Sequence, residues 1–237
     1  IVMDDGTTAR MSENHFIMTT TTVNAESVYR HLEFCHQCLW PEMDVHLIST
    51  TDAWAQIAIA GPNSRKLLQK VTEFDVNLLK FRDSKNLVIG DILCLVQRVS
   101  YTGDLGFEIY CKPEEQFNLW RQLSHSGKEY NLKPFGMRAM MSLRLDKLFG
   151  SWLFEYSPDY TPAETGLDKF INYKKNVNFI GKDAALQEKV NGTNRKLCAF
   201  EVEAIDTDVV AYEPIYLDNK VVGFCTSGGY SRNTADC

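Results

Sequence analysis

Ser100-Tyr101-Thr102-Gly103-Asp104-Leu105-Gly106-Phe107-Glu108 reads as a turn that runs directly into a strand. Small polar residues and two glycines favour a tight turn over 101–106, and the apolar residues around Glu108 predict a strand over 107–111. Glu108 is the unusual member of that strand. Alternation sends it either to water or to a polar partner, and both placements are open from spacing alone. A carboxylate there can accept two parallel N–H bonds from an aminopyrimidine ring, and the flanking glycines let backbone approach a flat ligand closely. The stretch is not a phosphate loop or a dinucleotide fingerprint, because neither GxGxxG nor GxxxxGKS/T occurs in the chain.

Working outward, β-branched and apolar residues predict a strand pair over 86–89 and 92–99, and a helix over 114–127 follows the strand at 107–111. Upstream, 15–22 alternates as a strand and feeds a helix over 26–34, strands are expected at 45–48 and 54–59, and a helix begins after Gly61-Pro62 with Asn63 or Ser64 as N-cap. Downstream, 137–149 has helical spacing. Its Met and Leu residues read as core, with Arg138 and Arg144 among them. A strand is expected at 167–173, a helix at 182–189 and strands at 197–202, 215–217 and 221–226, the last group beyond a polar hinge at 190–194.

The chain has 237 residues with 44% hydrophobic and 24% charged side chains, enough to bury a core in one large domain or two modest ones. A net charge of −6 argues against a nucleic-acid binder, and no apolar run approaches the roughly 18 residues needed to cross a bilayer. Neither nucleic acid nor membrane is expected as a partner. Seven scattered cysteines point to free thiols in a reducing compartment. Cys35-His36-Gln37-Cys38 could hold a metal or form a redox pair, but no second ligand pair exists at a compatible spacing, so packing inside a helix is the expected role and no metal site is assigned. Asp4-Asp5 lies on a short apolar segment; in a strand the two carboxylates face opposite ways, so at most one serves a given pocket.

Six motifs in order carry a resemblance: Asp4-Asp5-Gly6-Thr7-Thr8, Ile59-Ala60-Gly61-Pro62-Asn63-Ser64-Arg65, the stretch from Ser100 to Glu108, Ser142-Leu143-Arg144-Leu145-Asp146-Lys147, Phe179-Ile180-Gly181-Lys182 and Thr226-Ser227-Gly228. Together they resemble the aminomethyltransferase (glycine-cleavage T-protein) family, end to end. Lys147-Leu148-Phe149 followed by Trp152, Ile171-Asn172-Tyr173-Lys174-Lys175 and Val221-Val222-Gly223 bring the likeness nearest to the folate-binding C-terminal region of dimethylglycine and sarcosine dehydrogenases.

The resemblance implies an α+β fold, with a T-protein-like folate-binding domain of mixed or antiparallel sheets and packed helices over 1–190 and the start of a C-terminal β-barrel domain over 195–237, truncated at both ends. It implies tetrahydrofolate-dependent transfer of an aminomethyl or methylene unit, within a flavin-dependent amine demethylation system. Tetrahydrofolate is the cofactor, FAD would belong to a missing upstream domain, and the partners would be an imine derived from an N-methyl amine and a flavoprotein domain or subunit. The cytoplasm is the implied location, or the mitochondrial matrix in a eukaryote. Residue by residue, Asp5 corresponds to the catalytic acid beside the attacking folate nitrogen, Thr7 and Thr19 line the folate, Tyr101 lies beside it, and Glu108 holds the aminopyrimidine edge. Many members carry an Arg where this chain has Met141; Arg138, one turn earlier, stands in for that contact. A non-catalytic folate-binding or scaffold relative is the alternative expectation.

Overall fold

The computed structural model describes residues 1–231; Cys237 and the end of the expected 195–237 segment lie outside the described residues. The chain divides into two units, one of Gly6–Phe149 and one of Ile1–Asp5 with Gly150–Cys237.

In the unit of Gly6–Phe149, β1 (Thr8–Ser12) and β2 (His15–Met18) form an antiparallel hairpin, and α1 (Ala25–Phe34) runs on into a single π-helical turn at Cys35–Leu39. A four-stranded antiparallel sheet follows in the order β3 (Ala55–Ala60), β6 (Gly106–Cys111), β5 (Ile92–Gln97), β4 (Ser84–Ile89). Alternation decides its two faces. Phe107, Ile109 and Cys111 of β6, Cys94 and Val96 of β5, and Ile59 of β3 point to one side, where they meet Leu67 and Leu68 of α2 (Ser64–Val71) and Leu119 and Leu123 of α3 (Gln116–Gly127). Each of the large side chains buried there contributes about 1.5–3 kcal/mol. Cys94 and Cys111 are free thiols that pack as small apolar residues, and burial pushes the Cys94 thiol up to about 12.

The sequence misplaces two elements in this unit. Residues 44–50 form no strand; Ile48 is 78% exposed, and β propensity without a partner to complete a ladder leaves irregular backbone. The Met-rich helix, α4 (Met137–Leu145), ends short of 149 and is not a core helix: Met137 is 69% exposed, and the fully buried residue is Arg144, at 1%, whose Nη1 donates to the Phe149 carbonyl at 2.8 Å. An arginine at a helix C-terminus satisfies carbonyls that the helix leaves open, which hydropathy periodicity does not register.

In the other unit, Val2 N–H donates to the Tyr160 carbonyl at 2.9 Å, and residues 1–5 form no strand, so Asp4 and Asp5 are not set on opposite faces as expected. The expected strand at 167–173 is a 3-10 turn at Asp168–Phe170, and 197–202 is irregular, with exposed Phe200 and Val202 and no partner strand. The expected helix is present as α5 (Lys182–Asn191), and β7 (Pro214–Leu217) pairs with β8 (Lys220–Phe224) as an antiparallel hairpin. Arg195 reaches both carboxylate oxygens of Glu164, at 2.8 and 3.1 Å. Both flanks of the 190–194 hinge lie in this unit.

Candidate functional site

The face of the four-stranded sheet opposite the core carries a polar group. Successive outward positions of β6 are Glu108 and Tyr110; β3 supplies Gln56 and Ala58 opposite them, and β5 supplies Gln97 opposite Glu108 and Leu95 opposite Tyr110. Directly paired residues of this kind have Cβ atoms about 4.5–5.5 Å apart. The Tyr110 hydroxyl donates to Glu108 Oε2 at 2.6 Å and accepts from Gln56 Nε2 at 3.2 Å. This chain of bonds holds the carboxylate in place. Burial pushes the Glu108 carboxyl above the usual carboxylate range, while donation from Tyr110 pulls it part of the way back.

Thr7 and Thr19 are brought together from either end of the β1–β2 hairpin. Their hydroxyls are 2.8 Å apart, and Thr19 N–H donates to the Thr7 carbonyl at 2.8 Å. Thr7 Oγ1 also donates to Gln97 Oε1 at 3.3 Å, which ties the hairpin to the polar face of the sheet. Gly6 permits this closure, because a Cβ there would lie 1.6 Å from the Thr19 carbonyl oxygen. Thr7, Thr19 and Glu108 thus share one neighbourhood, through Gln97.

Tyr101 sits in the turn before β6, its ring stacked on Phe149 with centroids 6.5 Å apart and planes 20° from parallel. The Ser100 and Thr102 hydroxyls pair at 2.9 Å. Gly103 has φ +75°, and a Cβ there would meet Lys147 Cγ at 2.1 Å. Gly103→Ala is expected to lower stability by about 1–2 kcal/mol, the left-handed backbone and the contact with the lysine stem adding. Urea denaturation checks this, and a neutral result would mean the turn relaxes freely.

Arg138 is exposed in the first turn of α4. Asp5 is exposed and belongs to the other unit, where its N–H donates to Asp4 Oδ1 at 2.8 Å. Cys35 is buried, with its Sγ 3.6 Å from His31 Nε2, whereas Cys38 is exposed; among the described residues no group of three or more metal-ligating side chains gathers there or elsewhere. A concavity of 1510 Å³ lies elsewhere in this unit, along β4 and α3, lined by Lys70, Phe74, Lys85, Trp120, Arg121 and His125. It is a wide groove of mixed charge, and none of the expected site residues lines it.

Sequence reasoning missed Gln97, Tyr110 and Gln56. Polar residues at period two within apolar strands were the available signal, since Gln97 closes β5 and Tyr110 follows Glu108 by two. For Gly6 no local signal existed, because its constraint comes from a residue thirteen positions away.

The GCVT N-terminal domain family matches residues 1–175. The chain belongs to that family. Human mitochondrial dimethylglycine dehydrogenase is 35% identical over 227 residues, which is 95% of this chain and 26% of the dehydrogenase. The aminomethyltransferase of Caldanaerobacter subterraneus subsp. tengcongensis is 36% identical over 231 residues, covering 97% of this chain and 60% of that protein, and the Clostridium botulinum (strain Okra) aminomethyltransferase is 34% identical over 228 residues with 60% covered. The chain therefore spans about a quarter of the dehydrogenase and three fifths of the aminomethyltransferases. Among solved structures, the heterotetrameric sarcosine oxidase of Corynebacterium sp. U-96 in complex with pyrrole 2-carboxylate superposes with a TM-score of 0.44 at 11% identity, over 56% of this chain and 65% of that one, too slight a likeness to bear weight. The α+β architecture with antiparallel sheets is that expected of a family member. No helix among the described residues is long and apolar enough to cross a membrane.

Proposed function

We propose that this chain binds tetrahydrofolate on the polar sheet face and transfers a one-carbon unit to it, as part of a demethylation system like that of the dimethylglycine and sarcosine dehydrogenases. The observation that carries the reading is Glu108: a half-buried carboxylate, aligned by Tyr110, on the face of the four-stranded sheet opposite the core. Its chemistry suits an aminopyrimidine edge, because an ionised carboxylate accepts two adjacent N–H groups and burial strengthens both bonds. Thr7 and Thr19 offer hydroxyls beside it, Tyr101 an aromatic wall and Arg138 a cation. Residues 1–190 are the folate-binding region in this reading, and 195–237 the start of a barrel domain.

Bound tetrahydrofolate supplies amine nitrogens that take up the one-carbon unit. Asp5 orients the attacking nitrogen, stabilises the positive charge that develops on it, and holds its proton until the departing amine takes that proton. The donor is an imine from oxidation of an N-methyl amine by a flavin-bearing (FAD) domain or subunit, in the cytoplasm or, in a eukaryote, the mitochondrial matrix. Calorimetric titration with tetrahydrofolate, on this chain and on a protein of the relatives' full length, tests the reading. Saturable binding is expected, and absence of binding in both overturns it.

Acid dependence follows from the Glu108 shift. Only the ionised carboxylate accepts both N–H groups, so folate affinity is expected to fall on acidification from a higher pH than an ordinary glutamate would impose. Stability has the opposite sign. A carboxyl raised in the folded state stabilises the fold below its unfolded value, and that contribution is lost as pH rises through the folded value. Glu108→Gln is therefore expected to be more stable than the parent at neutral pH, with the gap closing in acid. A gap independent of pH in thermal melts contradicts this.

A further inference from the structure

Gln97 is 2% exposed, its Oε1 accepts from Thr7 Oγ1 at 3.3 Å, and its Nε2 has no hydrogen-bond partner among the described residues. A buried amide donor left unmade is costly, and natural proteins rarely keep one without use. This one lies on the residue paired directly with Glu108 across β5 and β6. The two side chains thus set a donor next to an acceptor on one face of the sheet. We infer that Gln97 is a specificity-determining residue for the ligand of this face: Glu108 accepts the amino and ring N–H groups of a 2-amino-4-oxopyrimidine, and Gln97 Nε2 donates to its 4-oxo oxygen.

The inference rests on the folate reading above and sharpens it to one edge of the ring. A 2-amino-4-oxopyrimidine presents two donors and then an acceptor along that edge, complementary to a carboxylate beside an amide N–H. A 2,4-diaminopyrimidine presents a donor where the oxo group was, so two donors would face each other and both would stay unmade. The amide is placed with Oε1 toward Thr7 Oγ1, and because a hydroxyl both donates and accepts, the probes below read the orientation directly. With the amide ends exchanged, Oε1 would be the unpaired atom, and the diamino edge would be preferred.

Folic acid and aminopterin make the pair of probes: the 4-oxo group of one is a 4-amino group in the other, and N3 passes from donor to acceptor. That second change acts at Glu108 and is common to the parent and the Gln97 variants, so the shift in preference between them reports Gln97. Both are titrated into the full chain, into Gln97→Leu and into Gln97→Met, at a pH above 7 where the free aminopterin ring is neutral. Gln97→Met keeps the side-chain length, so a packing fault in the leucine variant is told apart from loss of the donor. The parent is expected to prefer folic acid, and both variants are expected to lose about tenfold of that preference, chiefly through weaker folic acid binding. Equal weakening of the two ligands assigns Gln97 a structural part only and overturns the inference; so does an unchanged ratio with unchanged affinities, which leaves Nε2 to a buried water. A parent that prefers aminopterin overturns it as well, by reversing the amide. Binding of neither probe, with tetrahydrofolate also unbound, removes the folate reading itself, whereas tetrahydrofolate binding with no 4-oxo preference removes this inference alone.

Discussion

Asp5→Asn is expected to slow transfer of formaldehyde to tetrahydrofolate by about 10²–10⁴-fold above the uncatalysed background, with tetrahydrofolate affinity unchanged. The substitution keeps shape and polarity and removes charge and basicity together. An amide neither holds the proton released by the attacking nitrogen nor offsets the positive charge that forms on it. Asp5 is exposed outside regular structure, so the fold is expected to move by no more than about 0.5 kcal/mol. The measurement pairs a product assay with a binding titration on the same preparations. Transfer that survives unchanged makes this protein a non-catalytic folate binder of its family, and loss of binding together with transfer would assign Asp5 to recognition and not to chemistry.

Glu108→Ala is expected to weaken tetrahydrofolate binding by about 100-fold. Two charge-assisted bonds are lost on a half-buried face, and about 3 kcal/mol of net interaction converts to that ratio. Tyr110 and Gln56 remain bonded to each other, so the polar face keeps part of its order. Glu108→Gln separates charge from shape: its amide still meets the Tyr110 hydroxyl but offers one acceptor where the carboxylate offers two, and an intermediate loss is expected. Tetrahydrofolate affinity indifferent to both substitutions would place the pocket off this sheet face. The wide groove along β4 and α3 would then become the site to test.

The Glu108 prediction depends on how a sheet divides polar from apolar positions. In β6 the division was visible beforehand, because Glu108 interrupts an apolar run and the turn before it carries the family's tyrosine and glycines. The helix after Gly61-Pro62 was equally plain, and its Leu67 and Leu68 face the core. Less was legible around the site. Gln97 closes an apolar strand, and only the fold makes it the bridge from the sheet to the Thr7–Thr19 clasp, a contact spanning ninety positions in sequence. Tyr110 read as one more strand aromatic, although its hydroxyl aligns Glu108.

Local pattern and motif order alone determined the family, the strands and helices of the antiparallel core, and the placing of a carboxylate within the apolar run of β6, since each depends on spacing within a few residues or on residue identity. Tertiary structure alone decided that 45–48 and 197–202 lack strand partners, that Arg144 and not the methionines of α4 is buried, and that Thr7, Gln97 and Glu108 share one face. A strand exists only when another segment completes its hydrogen bonds, and a polar side chain is buried only when a distant group satisfies it. Neither partner is written in the residues next door.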